Sequence, residues 1–199
     1  MNRFIVNFII IYLFISCKNE IDVKQNIEKH NLVKSTTKTL HQISQSEIVE
    51  NQIFKNCSIK SIPITDSTNF DNHKYSKLLN TNEQKFLKLD IIKSDPDETA
   101  EKISLNYILN LSKKYKTVIV TKYLGDHEMF TYLINYNNKY EILGFTQIAY
   151  DEIAESWGRM TSKISQKYII VTDLNYAIEP VEIVELKYQI ENSGIIKIK

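Results

Sequence analysis

From about Ile103 to the C-terminus, apolar positions alternate with polar ones, and turn-forming residues recur at regular intervals. The alternation predicts strands at 103–111, 117–124, 128–136, 140–149, 157–165, 168–176, 181–191 and 195–199, although a helix continuing from Asp97 fits 103–111 nearly as well. They are separated by Ser112-Lys113-Lys114, Gly125-Asp126-His127, Asn137-Asn138, an acidic link around Asp151, Gln166-Lys167, Glu179-Pro180 and Asn192-Ser193-Gly194. Joins this short connect neighbours in an antiparallel meander. In the last long run Val184, Leu186, Tyr188 and Ile190 face inward, while Glu185, Lys187 and Gln189 face water. The run 129–136 is apolar on both faces and is expected to be central or covered by helices. All three Pro lie outside the proposed strand interiors, and Gly144 and Gly158 suggest bulges.

Before residue 103 the pattern changes. Thr81 followed three residues later by Gln84 is a capping-box arrangement, with Phe86, Leu87 and Leu89 as the buried side of a short helix. Asp95-Pro96 is a second turn or helix start. Pro63 reduces 59–64 to an edge strand or extended arm, and Asp66-Ser67-Thr68-Asn69 is turn chemistry. The fold class expected is α+β, mainly β. It is an up-and-down meander of about seven or eight strands in a curved sheet or partly open barrel, preceded by one or two short helices. The open, curved sheet is preferred, because the helical segment needs a surface to pack on.

The first residues read differently. Residues 4–15 are apolar but for Asn7, follow Arg3 and end at Ser16-Cys17, which is the order of a secretory signal peptide. The apolar run is shorter than the roughly 20 residues a spanning helix needs. The order Phe14-Ile15-Ser16-Cys17 resembles the lipobox of bacterial lipoproteins, with Phe14 standing where that family usually has Leu. The resemblance covers about the first twenty residues. It implies that residues 1–16 are removed and that Cys17 is acylated, each buried methylene adding roughly 0.8 kcal/mol of membrane affinity. Lys18 stands where Asp resembles an inner-membrane retention signal, which favours the outer membrane. Ser-Cys-Lys-Asn-Glu also looks like the lipoproteins of Bacteroidota-type bacteria, with periplasmic and surface display both open. Residues 17–50 are polar and predicted to be a flexible tether, leaving 51–199 as one globular domain: helices and an arm over 51–102, the meander over 103–199.

Charge adds one exclusion. Lys+Arg is 25 and Asp+Glu 24; without Arg3 the two are equal. A near-neutral exported chain argues against nucleic acid as a partner. With Cys17 acylated, Cys57 has no disulfide partner and reads as a small buried apolar residue. A monomer is expected.

No G-x-S-x-G, H-E-x-x-H, C-x-x-C or phosphate-binding glycine loop is present, so no catalytic residue, metal ligand or cofactor is assigned. Asp126-His127-Glu128 holds metal-ligand types, but successive residues on extended chain point apart, and the stretch reads as a solvated hairpin tip. The candidate binding stretch is Tyr150, Asp151, Glu152, Glu155, Trp157 and Arg159, which includes the chain's one Trp. It could cradle a sugar or a peptide, or supply paired carboxylates for acid–base work. Equally, it could be a link whose acids face water and whose Trp closes the core. The leading functional expectation is a lipid-anchored binding or interaction module whose partner is an envelope protein or glycan. The alternatives are an envelope hydrolase using Asp151 and Glu155, and an inhibitor or immunity-type protein that occludes a partner.

Overall fold

The strands richest in apolar residues need cover on both faces, and the architecture supplies it. The computed structural model describes residues 45–93, 102–153 and 157–199. The predicted signal peptide, Cys17, the tether up to residue 44, the Asp95-Pro96 turn and Glu155 lie outside the described residues. Helix α1 (Gln45–Phe54) leads to strands β1 (Ser58–Ser61), β2 (Ile64–Asp66) and β3 (Lys77–Leu78), then to helix α2 (Thr81–Phe86) and a 3-10 turn at Leu89–Ile92. The meander follows as β4 (Lys102–Asn110), β5 (Lys116–Leu124), β6 (Glu128–Tyr136), β7 (Ile142–Glu152), β8 (Gly158–Ile164), β9 (Tyr168–Asn175), β10 (Glu182–Ile190) and β11 (Ile196–Ile198). All strands belong to one open sheet, with β4 to β11 antiparallel in chain order. β1 joins the outer edge of β4 in parallel, β3 pairs with the same edge nearer its start, and β2 pairs with β8.

Two hydrophobic cores lie on opposite faces of this sheet. The first holds Ile103, Leu105, Val118, Val120, Ile134 and Tyr136 under Ile53 of α1 and Leu87, Leu89 and Ile92. The second joins Tyr107, Leu109, Ile119 and Leu133 to Ile164, Ile169, Val171 and Ile190, so β8 to β10 curl beneath β4 to β6. One strand feeds both cores. Leu105 pairs with Val120 and Tyr107 with Ile119, leaving Asn106 with no partner on β5. That extra residue is a β-bulge, and it turns every later side chain of β4 to the other face. Asn106 is buried, and its groups are satisfied: Nδ2 donates to Thr121 Oγ1 at 2.7 Å, and its carbonyl accepts from Ser76 Oγ at 2.7 Å.

The helices are held by one turn. Tyr140, between β6 and β7, takes a left-handed φ of 57° that few side chains adopt. Its ring stacks with Phe54 of α1, Phe86 of α2 and Tyr136 of β6. Its hydroxyl accepts from Lys116 Nζ at 2.5 Å, and the same Nζ pairs with Glu50 of α1. Burial alone would raise the Glu50 pKa, but Lys116 and the Tyr140 hydroxyl hold it below the usual value.

The meander agrees with its predicted boundaries to within about two residues, except that β7 continues through Asp151 and Glu152. The acidic link is therefore partly strand. β6 is covered on both faces, as expected. Leu186, Tyr188 and Ile190 face the second core, whereas Val184 is 42% exposed and does not pack against it. The bulge suggested at Gly144 falls next door, at Leu143; Gly158 opens β8 without one. The capping box sits one residue earlier than predicted. Asn80 caps α2 by accepting from Asn82 N and Glu83 N, and Glu83 reaches back to Asn80 N. The boundary expected at residue 51 falls inside α1, because Val49, Ile53 and Phe54 pack onto the first core.

Replacing Tyr140 by Ala should remove the ring that joins both helices to the sheet and cost about 3–5 kcal/mol in denaturant unfolding. A loss below about 1 kcal/mol would show that the helices are held elsewhere.

Candidate functional site

The meander puts the β5–β6, β7–β8 and β9–β10 connections at one pole, and a cleft of about 450 Å³ opens there. Asp151, Glu152 and Ile153 line it from the end of β7, Gly158 and Arg159 from the start of β8, Tyr176 from the β9–β10 connection, and Phe70 and Asp71 from the loop after β2. That loop is fastened by short polar side chains. Asp66 Oδ1 accepts from Thr68 N at 2.9 Å, and Asn69 and Asn72 each accept from the other's backbone N–H. Asp151 Oδ2 then accepts from Phe70 N at 3.0 Å, tying the loop to β7.

Glu152 fastens the opposite wall. Its Oε1 accepts from Trp157 N at 2.6 Å and Gly158 N at 2.9 Å, closing the β7–β8 connection. Its Oε2 lies 2.7 Å from the Tyr150 hydroxyl, which also lies 2.6 Å from Glu128 Oε1. One phenolic proton thus serves two carboxylates. Burial first, then those two carboxylates, raise the Tyr150 pKa well above its ordinary value. The Tyr150 hydrogen bond, with the two backbone N–H groups, holds Glu152 below the usual carboxylate value.

Of the stretch singled out in the sequence, Asp151, Glu152 and Arg159 line this cleft, Tyr150 and Trp157 are not among the lining residues, and Glu155 lies outside the described residues. Tyr150, Asp151 and Glu152 hold the walls. Trp157 does not close the core; it is 53% exposed at the mouth, and its carbonyl accepts from Tyr176 N at 2.6 Å. Arg159 stands opposite Asp151 in the β7–β8 register, and among the described residues its side chain forms no hydrogen bond or ion pair. Phe70, Asp71 and Tyr176 were not anticipated; each reaches the cleft from an element distant in sequence, and only the turn chemistry at 66–69 hinted at a loop. Asp126 and His127 sit exposed at the β5–β6 tip, while Glu128 is drawn to Tyr150.

A second polar cluster lies under the sheet. His73 rests between Tyr75 and Tyr123, with Nε2 3.4 Å from Ser104 Oγ. Its buried Nδ1 has no partner among the described residues, and Asp66 turns instead to Tyr107, whose hydroxyl donates at 2.5 Å. Ser104 is wholly buried, so this is not a nucleophile–base pair open to substrate. Burial lowers the His73 pKa, and Lys102 adds to that against the opposing charge of Asp66. Cys57 is half-buried and free, with burial raising its thiol pKa. Among the described residues no helix is long and apolar enough to cross a membrane.

Comparison with known protein families, with curated proteins and with solved structures finds no match to the chain.

Glu152→Gln should weaken the β7–β8 connection by on the order of 1 kcal/mol at neutral pH, allowing for solvent screening. Because the folded-state pKa is lowered, that stability is present above the unfolded value near 4.5 and lost as pH falls through the folded value. Denaturant unfolding of both proteins should thus differ at pH 7 and converge in acid. A difference that persists below both values would assign the effect to something other than the carboxylate charge.

Proposed function

We propose that this chain is an exported, lipid-anchored binding module of the outer membrane, holding an envelope partner in the cleft between β7, β8 and the β9–β10 connection. The run from Arg3 to Cys17 supports the anchor. The observation that carries the binding role is Arg159, a guanidinium without a partner among the described residues, set in a cleft that half-exposed Tyr176 lines, with exposed Trp157 next in sequence to its Gly158. Guanidinium and large aromatics are the side chains that dominate recognition surfaces.

The β9–β10 connection favours a polypeptide over a small molecule. Ile178 and Val181 of this connection and Ile183 at the start of β10 stand exposed, apolar surface that would extend the contact beyond the cavity. A hydrolase reading has less support. Glu155 lies outside the described residues; Asp151 and Glu152 line the cleft, but each is engaged in holding backbone N–H groups, and Glu152 is shifted away from the protonated form a general acid needs.

Capture from native envelopes tests the proposal. The pair Trp157→Ala and Arg159→Glu should lower recovery of the specific partner by at least about tenfold while leaving thermal unfolding unchanged. Equal recovery would reject the cleft as the binding site. Cys17→Ser should move the protein from the membrane to the soluble fraction; retention after detergent-free washing would reject acylation.

A further inference from the structure

The pole opposite the cleft carries the opposite charge. An up-and-down meander sends alternate connections to alternate ends, and this one sorts lysines from acids as it does so. At the cleft pole the connections and strand ends carry Asp126, Glu128, Asp151, Glu152, Glu179 and Glu182 against Lys102 and Arg159. At the far pole the connections carry Lys113 and Lys114 (β4–β5), Lys139 (β6–β7) and Lys167 (β8–β9), and all four are exposed. None of the four is ion-paired among the described residues.

These connections form one surface. Lys113 and Asn138 line the same open cleft of about 400 Å³, together with Ile59, which is 70% exposed. A Cβ on Gly194 of the β10–β11 connection would lie 3.1 Å from the Tyr115 ring, so that connection abuts β4–β5. Lys167 O accepts from Ile190 N at 2.8 Å, which brings β8–β9 alongside. Of the acids here, Glu50 is ion-paired with Lys116 and Glu191 with Lys197, while Glu141 accepts from the neutral Asn137 amide and keeps its charge. Against that one carboxylate stand the four lysines, so the balance at this pole is positive, in a chain whose formal net charge is only +1. α1, through which the chain from Cys17 reaches the described fold, is pinned to this same pole by Glu50 and Lys116.

We infer that the lysine pole is a docking surface for anionic phospholipid headgroups, on which the protein stands with its cleft turned away from the bilayer. Lysines near an anionic leaflet gain attraction that falls off within a Debye length, so only the near pole is held and the acidic pole is repelled. Exposed Ile59 sits among these lysines, where it can enter the interfacial region. The inference rests on the anchored reading in so far as the anchor supplies the membrane.

The test uses the full chain in vesicles of phosphatidylcholine alone or mixed with phosphatidylglycerol at about two to one, read by amide hydrogen exchange. In the anionic vesicles, exchange over 111–115, 137–141 and 165–167 should slow by at least about fivefold relative to neutral ones, and raised salt should abolish the difference. Exchange over 125–127 and 176–181 should not change. The fourfold variant Lys113→Glu, Lys114→Glu, Lys139→Glu and Lys167→Glu should lose the protection and keep the same thermal unfolding, since all four side chains are exposed. Identical exchange in both vesicle types, or protection at the cleft pole, would overturn the inference. The mass of the N-terminal peptide reports acylation of Cys17 separately. Headgroup-dependent protection without acylation would sustain the docking surface and reject the anchor; acylation without such protection would do the reverse.

Discussion

One unpaired residue in β4 decides how this sheet can be buried. A strand presents alternate side chains to alternate faces, so β4 would ordinarily serve one core along its whole length. Asn106 breaks the alternation. Ile103 and Leu105 enter the core beneath the helices, and Tyr107 and Leu109 enter the core formed by β8 to β10. The insertion is tolerable because its polar groups have partners in Thr121, Ser104 and Ser76. A buried amide left without them would cost about 1–3 kcal/mol. Thr121 passes the network on to Thr131 at 2.8 Å, so a polar ladder crosses the three central strands at the level of the bulge.

From that switch the rest follows. With both faces of β4 to β6 occupied, the helices take one side and the curled second half of the meander takes the other. The curl needs close approach at Gly144, where a Cβ would lie 2.8 Å from Ile196 N and only glycine leaves room for the C-terminal strand. The connections are then sorted to two poles. One presents a walled cleft with an exposed aromatic rim; the other presents lysines. Of the carboxylates in the candidate stretch, Asp151 holds the loop after β2 and Glu152 holds the β7–β8 connection, while Glu155 lies outside the described residues.

The meander was legible because its strands alternate with period two and its turns are tight, two signals that reinforce each other locally. The short strands β1, β2 and β3 were not, because their pairing depends on partners on β4 and β8 far along the chain. At α2 two overlapping capping boxes were available, Asn80 with Glu83 and Thr81 with Gln84, and only backbone geometry chooses between them. Part of the candidate site was visible as the cluster of Trp, acids and Arg over 150–159. What periodicity could not tell was which of these side chains face outward: Trp157 reads equally as a core aromatic or a surface one. Phe70 and Tyr176 come from other elements and carry no local mark of their role. The polarity of charge was also present in the sequence, but it becomes a surface only when alternate turns are folded to opposite ends.

Deleting Asn106 tests the two-core arrangement most directly, with denaturant unfolding as the readout. The deletion removes the bulge but leaves Leu105 opposite Val120 and Tyr107 opposite Ile119, so each core keeps its β4 side chains. The account predicts a cooperative transition, destabilised by about 1–3 kcal/mol because Thr121, Ser104 and Ser76 lose their partners on Asn106. Loss of cooperative unfolding would contradict it, showing that the two cores depend on the bulged residue itself and not on the faces to which β4 turns its side chains.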